Sequence, residues 1–167
     1  MGNGDQEQSS LLIDANVILE FFLAQQYQDE CLALLKLTSN GSVTAFVMSY
    51  AVHSIEYILY REGNLIALRT FLELLQSSLG LTIYESSSSE DLAALAFTKK
   101  ADAQFQLDFD DALHYATAKK HNLALVSFDH DFDRTDLARK TPSDILSRYE
   151  TNDSAHNAAA AISQGTP

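Results

Sequence analysis

Basic residues are scarce in this chain: 11 Lys and Arg stand against 23 Asp and Glu, for a formal net charge of −12. So acidic a balance argues against a general nucleic-acid binder, because phosphate contacts need a positive face. Two features soften that exclusion. Eight of the eleven basic residues lie at or beyond Lys99 (Lys99, Lys100, Lys119, Lys120, Arg134, Arg139, Lys140 and Arg148). Carboxylates that hold metal ions, moreover, count as negative only until the ions bind. Cysteine is limited to Cys31 in DECLALL, which excludes an internal disulfide and fits a reducing cytoplasm. A small core residue on a helix is its expected role. Long apolar runs are missing: VILEFFLA is broken by Glu20 and is far shorter than a membrane span. The opening MGNGDQEQSS carries no basic segment, so a secretory signal is not expected. Gly is sparse, and neither a GxGxxG nor a Walker-type loop occurs, so a nucleotide-binding Rossmann or P-loop site is unsupported.

What is present reads as one domain. A length of 167 residues with 46% hydrophobic and 20% charged content suits a single globular core. Residues 1–10 read as a flexible leader, 11–146 as the folded body, and 147–167, rich in Ser, Asn and Ala, as a disordered tail. In the body, short apolar runs alternate with helical periodicity. LLID (11–14), SVTAFV, LTIYE and LALVSF read as strands. ANVILEFFLA, DECLALLKLT, a segment capped by Ser49 and running through Arg61, NLIALRTFLELLQSSLG to Gly80, SSEDLAALAFTKKA and DFDDALHYATAKKHN read as helices. Strands separated by helices imply an α/β fold, with a mostly parallel sheet covered on both faces.

The stretch FDHDFDRTD (128–136) puts four aspartates in nine positions directly after the strand-like LALV. Like charges so close repel, and carboxylates beside apolar surface lose hydration, so a compensating cation is the simplest expectation. Other acids can join that place. Asp14 ends the first strand, where sites form in open parallel sheets, although it can also cap the following helix. Asp129 holds the equivalent place after the last strand, whereas Asp131, Asp133 and Asp136 suit solvated turn positions. Glu56 falls within the helical stripe Val52, Ile55, Leu59, so it needs a partner or a cation; pairing outward at the helix border is the alternative. Asp111 opens the helix DFDDALHYATAKK with Asp108 and Asp110. A capping pair would account for one or two of these acids but not for three in four positions.

Carboxylates without accompanying Cys–His spacing select hard cations, Mg²⁺ or Mn²⁺, over zinc. Such a cluster suits phosphodiester hydrolysis, with two ions about 4 Å apart activating water and stabilising the leaving oxygen. Rival constellations fit less well. An EF-hand loop beginning at Asp129 would want Gly and Glu where Arg134 and Lys140 stand. A phosphatase with a nucleophilic Asp14 would want a second Asp where Asn16 stands. The histidines do not organise into a ligand set: His114 and His121 are seven apart on one helix, and His53 is alone.

LLIDANVIL, then a helix bearing SIEYIL, then DDALHYATAKKHNLALVSFDHDF, resemble the PIN-domain ribonucleases, in particular the VapC-like toxins of type II toxin–antitoxin modules. The resemblance spans residues 11–146. It implies a three-layer α/β/α sandwich and a metal-dependent endoribonuclease whose acids match Asp14, Glu56, Asp111 and Asp129. It further implies supporting roles for Asn16 and Ser127, and leaves Asp110 as competitor to Asp111, which directly precedes the ALxxAtA run. Products with 5′-phosphate and 3′-hydroxyl ends, a homodimer, a small antitoxin partner and a cytoplasmic location follow from the same likeness. Lys119, Arg134 and Arg139 are candidates to meet substrate phosphates. A non-catalytic scaffold of the same fold is the reading from a different class.

Overall fold

The structure is a computed structural model that describes residues 10–99 and 105–149. All but the last residue of the expected leader, and the expected tail beyond 149, lie outside the described residues. Four short strands, β1 (Ser10–Ile13), β2 (Thr44–Met48), β3 (Leu81–Tyr84) and β4 (Ala124–Val126), form one sheet in the order β3-β2-β1-β4. Every pairing is parallel. Parallel neighbours need long crossovers, and helices supply them. α1 (Ala15–Phe22) and α2 (Gln28–Ser39) join β1 to β2; α3 (Ser49–Arg61) and α4 (Leu65–Ser77) join β2 to β3. α5 (Ser88–Ala94) and α6 (Phe109–His121) lie between β3 and β4. The architecture has the covered parallel sheet expected from the alternation of apolar runs and is the α/β/α sandwich that the resemblance implied.

The strands that flank the site are covered on both faces, which is why they read as continuous apolar runs rather than alternating ones. Leu11, Leu12 and Ile13 of β1 and all three residues of β4 are buried. In the same core α1 buries Val17, Ile18, Leu19 and Phe22, and α3 buries Ala51, Val52, Ile55 and Leu59, each set at helical spacing. Truncating one such residue, Leu12→Ala for instance, removes about 2–5 kcal/mol by the usual cost of a core cavity. Cys31 is a buried residue of α2, as expected, and burial pushes its thiol up to about 12.

Among the boundaries that differ from expectation, two carry a hydroxyl that bonds to the backbone. Ser49 does not cap α3; Met48 holds the cap position and Ser49 is the first helical residue. α4 stops at Ser77 rather than near Gly80, with the Ser77 hydroxyl donating back to the Glu73 carbonyl at 2.7 Å. Gly80 instead makes the turn into β3 with φ +65, and a Cβ there would sit 2.1 Å from the Thr38 carbonyl oxygen. α5 ends at Ala94 and tightens into a 3₁₀ turn (Leu95–Phe97), where the Thr98 hydroxyl donates to the Leu95 carbonyl at 2.9 Å. A further helix over 142–149 runs past the expected end of the body.

Candidate active site

β1 has β2 on one side and β4 on the other, so the connections leave it in opposite directions. In an open parallel sheet, ligands bind in the crevice outside the carboxyl ends of strands at such a switch point. Asp14 leaves β1 there, and Ser127, Phe128 and Asp129 leave β4 beside it. The Asp14 amide donates to the Val126 carbonyl at 3.0 Å, which fixes the two exits side by side.

Asp14 stands at the N-cap of α1, yet its side chain makes no capping bond. Its Oδ2 accepts from the Ser127 hydroxyl at 2.7 Å and from the Asn16 amide at 2.8 Å. The Ser127 oxygen, fully buried, accepts from the Asn16 amide and from the Asp129 backbone N–H, both at 3.0 Å. Asn16 Oδ1 in turn accepts from the Phe128 amide at 3.3 Å. One hydroxyl and one amide therefore tie the first acid to the loop that carries the last. Arg139 Nη1 adds a bond to the Ser127 carbonyl at 3.1 Å.

Asp111, in the first turn of α6, is the third member. Partial burial, followed by the charges of Asp129, Asp14, Asp108 and Asp131, pushes its carboxyl up to about 7. Those charges put Asp111 in one electrostatic neighbourhood with Asp129 and Asp14. Asp110 is exposed and enters through its backbone, its carbonyl accepting from the Tyr50 hydroxyl at 2.7 Å. Of the two competing acids, then, Asp111 is the half-buried one, its carboxyl set among the other acids.

Glu56 is placed differently. Val52, Ile55 and Leu59 are buried as expected, but Glu56 lies at the border of that stripe with a third of its side chain exposed. Its carboxylate meets Nδ1 of the exposed His53 at 3.0 Å.

Sequence reasoning passed over two neighbours of the cluster. The Tyr50 hydroxyl, on the first turn of α3, meets His114 Nδ1 as well as the Asp110 carbonyl. Burial, with the charges of Asp14, Asp110 and Asp111, raises its phenol far above the ordinary value. His114, 3% exposed, turns Nε2 toward Asp14 Oδ1 at 3.9 Å, and that nitrogen has no hydrogen-bond partner. One signal was available: His114 follows Asp111 by three residues and so shares its helix face.

The aspartate run resolves residue by residue. Asp131 pairs with Arg134 at 2.9 Å, Asp133 with Arg139 at 2.7 Å, and Asp136 with Lys119 at 2.8 Å. These are the same basic residues expected to meet substrate. Asp129 has no such partner among the described residues; its Oδ1 accepts the Asp131 amide at 2.8 Å and opens a 3₁₀ turn (His130–Arg134). Local cations thus answer most of the crowding, and the uncompensated charge is concentrated in Asp14, Asp111 and Asp129.

Among the described residues no three His, Cys, Asp or Glu side chains form a ready cage for one metal ion. The donor set nevertheless suits a hard cation. It is all carboxylate and amide oxygen, it carries mutual repulsion that lifts Asp111, and Mg²⁺ usually keeps several waters and takes only one or two protein carboxylates.

A family model for the PIN domain matches residues 11–138. Among solved structures, VapC20 of Mycobacterium tuberculosis, described as a Sarcin-Ricin loop cleaving toxin, is similar with a TM-score of 0.65 at 14% identity, over 80% of this chain and 100% of that one. A toxin–antitoxin complex from Klebsiella pneumoniae gives 0.58 at 19% identity, over 80% and 98%. FitAcB from Neisseria gonorrhoeae gives 0.55 at 20%, over 79% and 97%. No curated protein matches the sequence.

Proposed function

The chain belongs to the PIN-domain family, and from that premise we propose that it is a Mg²⁺- or Mn²⁺-dependent endoribonuclease, the toxin of a type II toxin–antitoxin pair. The observation that carries this reading is the gathering of Asp14, Asp111 and Asp129 at the switch point, with Asp111 lifted to about 7 by burial and by its acidic neighbours. Three acids that, among the described residues, pair with no Lys or Arg at a strand crevice invite a divalent ion. Asp14, Glu56, Asp111 and Asp129 would hold it, directly or through its water. A bound divalent ion supplies an activated water and neutralises charge on the phosphate.

The chain's own groups do the rest. Ser127 and Asn16 hold the Asp14 carboxylate in one orientation, and Ser127 also fixes the amide of Asp129. Lys119, Arg134 and Arg139 can exchange their carboxylate partners for substrate phosphates. Lys119 and Arg134 do so most readily, because exposed ion pairs contribute only about 0–1 kcal/mol. The toxin–antitoxin complex among the fold neighbours supports an antitoxin partner. A homodimer and a cytoplasmic location belong to the same reading; among the described residues no helix is long and apolar enough to cross a membrane.

The test is cleavage of single-stranded RNA in Mg²⁺ or Mn²⁺, with EDTA and Asp14→Asn as controls. Cleavage with 5′-phosphate and 3′-hydroxyl ends, lost in both controls, is expected. Cleavage that survives Asp14→Asn, or a wild-type protein inert in every divalent ion, overturns the proposal. A phosphoaspartate trapped at Asp14 with a small phosphate ester would instead select phosphatase chemistry.

A further inference from the structure

A cavity of about 700 Å³ opens directly beside the acid cluster and shares two residues with it, Asn16 and Phe128. Its apolar wall is Leu19, Leu23, Ile58 and Phe128, and polar groups line the larger share of it, Glu20, Arg61 and Glu62 among them. The volume falls within the usual range for small-molecule sites, and a lining this polar suits a polar ligand with one flat apolar face. The two shared residues are already oriented: the Phe128 amide donates to Asn16 Oδ1, and the Phe128 ring stacks on Tyr27 with centroids 4.8 Å apart and planes 17° from parallel. An aromatic pair held flat, one residue before Asp129, is the kind of platform on which unpaired bases stack.

The charges divide by position. Arg61 is well exposed and, among the described residues, pairs with its neighbour Glu62 at 2.9 Å, an exposed pair weak enough for it to turn to a phosphate. Glu20 accepts the Tyr27 amide through Oε2 at 2.9 Å, and among the described residues no donor is placed on its Oε1. A carboxylate oxygen in such a cavity repels phosphate but accepts the N–H groups on a base edge. Base inward and phosphate outward is the one orientation of a nucleotide that suits both groups.

We propose that this cavity is the subsite for one unpaired nucleotide of the RNA substrate flanking the cleaved phosphate, its base against Phe128, Leu23 and Ile58 and its phosphate toward Arg61. The proposal rests on the ribonuclease reading and makes the enzyme selective for single-stranded or looped RNA, since a paired base cannot enter.

The experiment uses the full chain and single-stranded RNA octamers carrying 2-aminopurine at each position in turn. Fluorescence in Ca²⁺ reports stacking, and cleavage in Mn²⁺ reports KM and kcat. The wild type is expected to quench one position strongly. Leu23→Trp, which fills the cavity, and Arg61→Ala, which changes an exposed residue and spares the fold, should each raise KM about tenfold, on the scale of one lost stacked base. An abasic residue at the quenched position should raise the wild-type KM similarly and remove the effect of Leu23→Trp. If the wild type cleaves RNA while both variants keep its KM and quenching pattern, the subsite is refuted, the ribonuclease reading stands, and the cavity is reassigned to a protein partner. If the wild type neither binds nor cleaves RNA, both readings fall together.

Discussion

Asp111→Asn should stabilise the metal-free protein at neutral and alkaline pH, the opposite of what removing a charged side chain from a paired site would do. The carboxyl sits at about 7 in the fold against an ordinary 3.8, because burial and then Asp129, Asp14, Asp108 and Asp131 all disfavour its charge. Below the unfolded value both states are protonated and the group contributes nothing. Between about 4 and 7 the folded state binds more protons than the unfolded one, so stability falls as pH rises, and above 7 the full penalty is present. At about 1.4 kcal/mol per pH unit the gap sets a ceiling of about 4 kcal/mol. Solvent reaching this partly exposed carboxyl reduces that to about 2 kcal/mol. For a chain of this size the expected gain in Tm is about 4–8 °C. The assay is thermal unfolding in EDTA of wild type and Asp111→Asn from pH 4.5 to 8.5. The two curves should converge at the acid end and separate progressively above pH 5. A variant less stable than wild type at pH 8, or a difference that does not change with pH, would refute the placing of Asp111 among uncompensated acids.

Other changes read other parts of the site. Ser127→Ala removes the oxygen that Asp14, Asn16 and Asp129 share, and should cost about 1–3 kcal/mol in urea unfolding and at least about 100-fold in RNA cleavage. Tyr50→Phe deprives the Asp110 carbonyl and His114 Nδ1 of a hydroxyl; a loss of about 1–3 kcal/mol in the same assay is expected, with slower cleavage and an unchanged product pattern. Glu56→Gln should move stability by less than about 0.5 kcal/mol, since its partner His53 is exposed, and should slow cleavage less than Asp14→Asn does.

The sequence carried the strands and the helical stripes because burial on two faces leaves an unbroken apolar signature, as in Leu11 to Ile13, and one-sided burial leaves helical spacing, as in Val52, Ile55 and Leu59. It also carried Asp14 and Asp129 to strand ends, which the parallel pairing of β1 with β4 then made neighbours. Ends of helices were harder to read, since Ser77 and Thr98 turn their hydroxyls onto the backbone in ways spacing does not encode. The site was legible as a set of acids and not as a network. Nothing local to Tyr50 or His114 announces that α3 and α6 will bring them together, 64 residues apart in the chain. Nor does the run FDHDFDRTD reveal which of its acids have basic partners, because Lys119, Arg134 and Arg139 reach them only through the fold.

Titration of Mn²⁺ into the protein, with free ion followed by electron paramagnetic resonance, tests the shared cation most directly. The wild type should bind Mn²⁺ at micromolar to millimolar concentration, Mg²⁺ should compete, and Asp14→Asn and Asp129→Asn should each weaken binding at least tenfold while Asp133→Asn does not. Mn²⁺ binding indifferent to residues 14 and 129 would contradict the account.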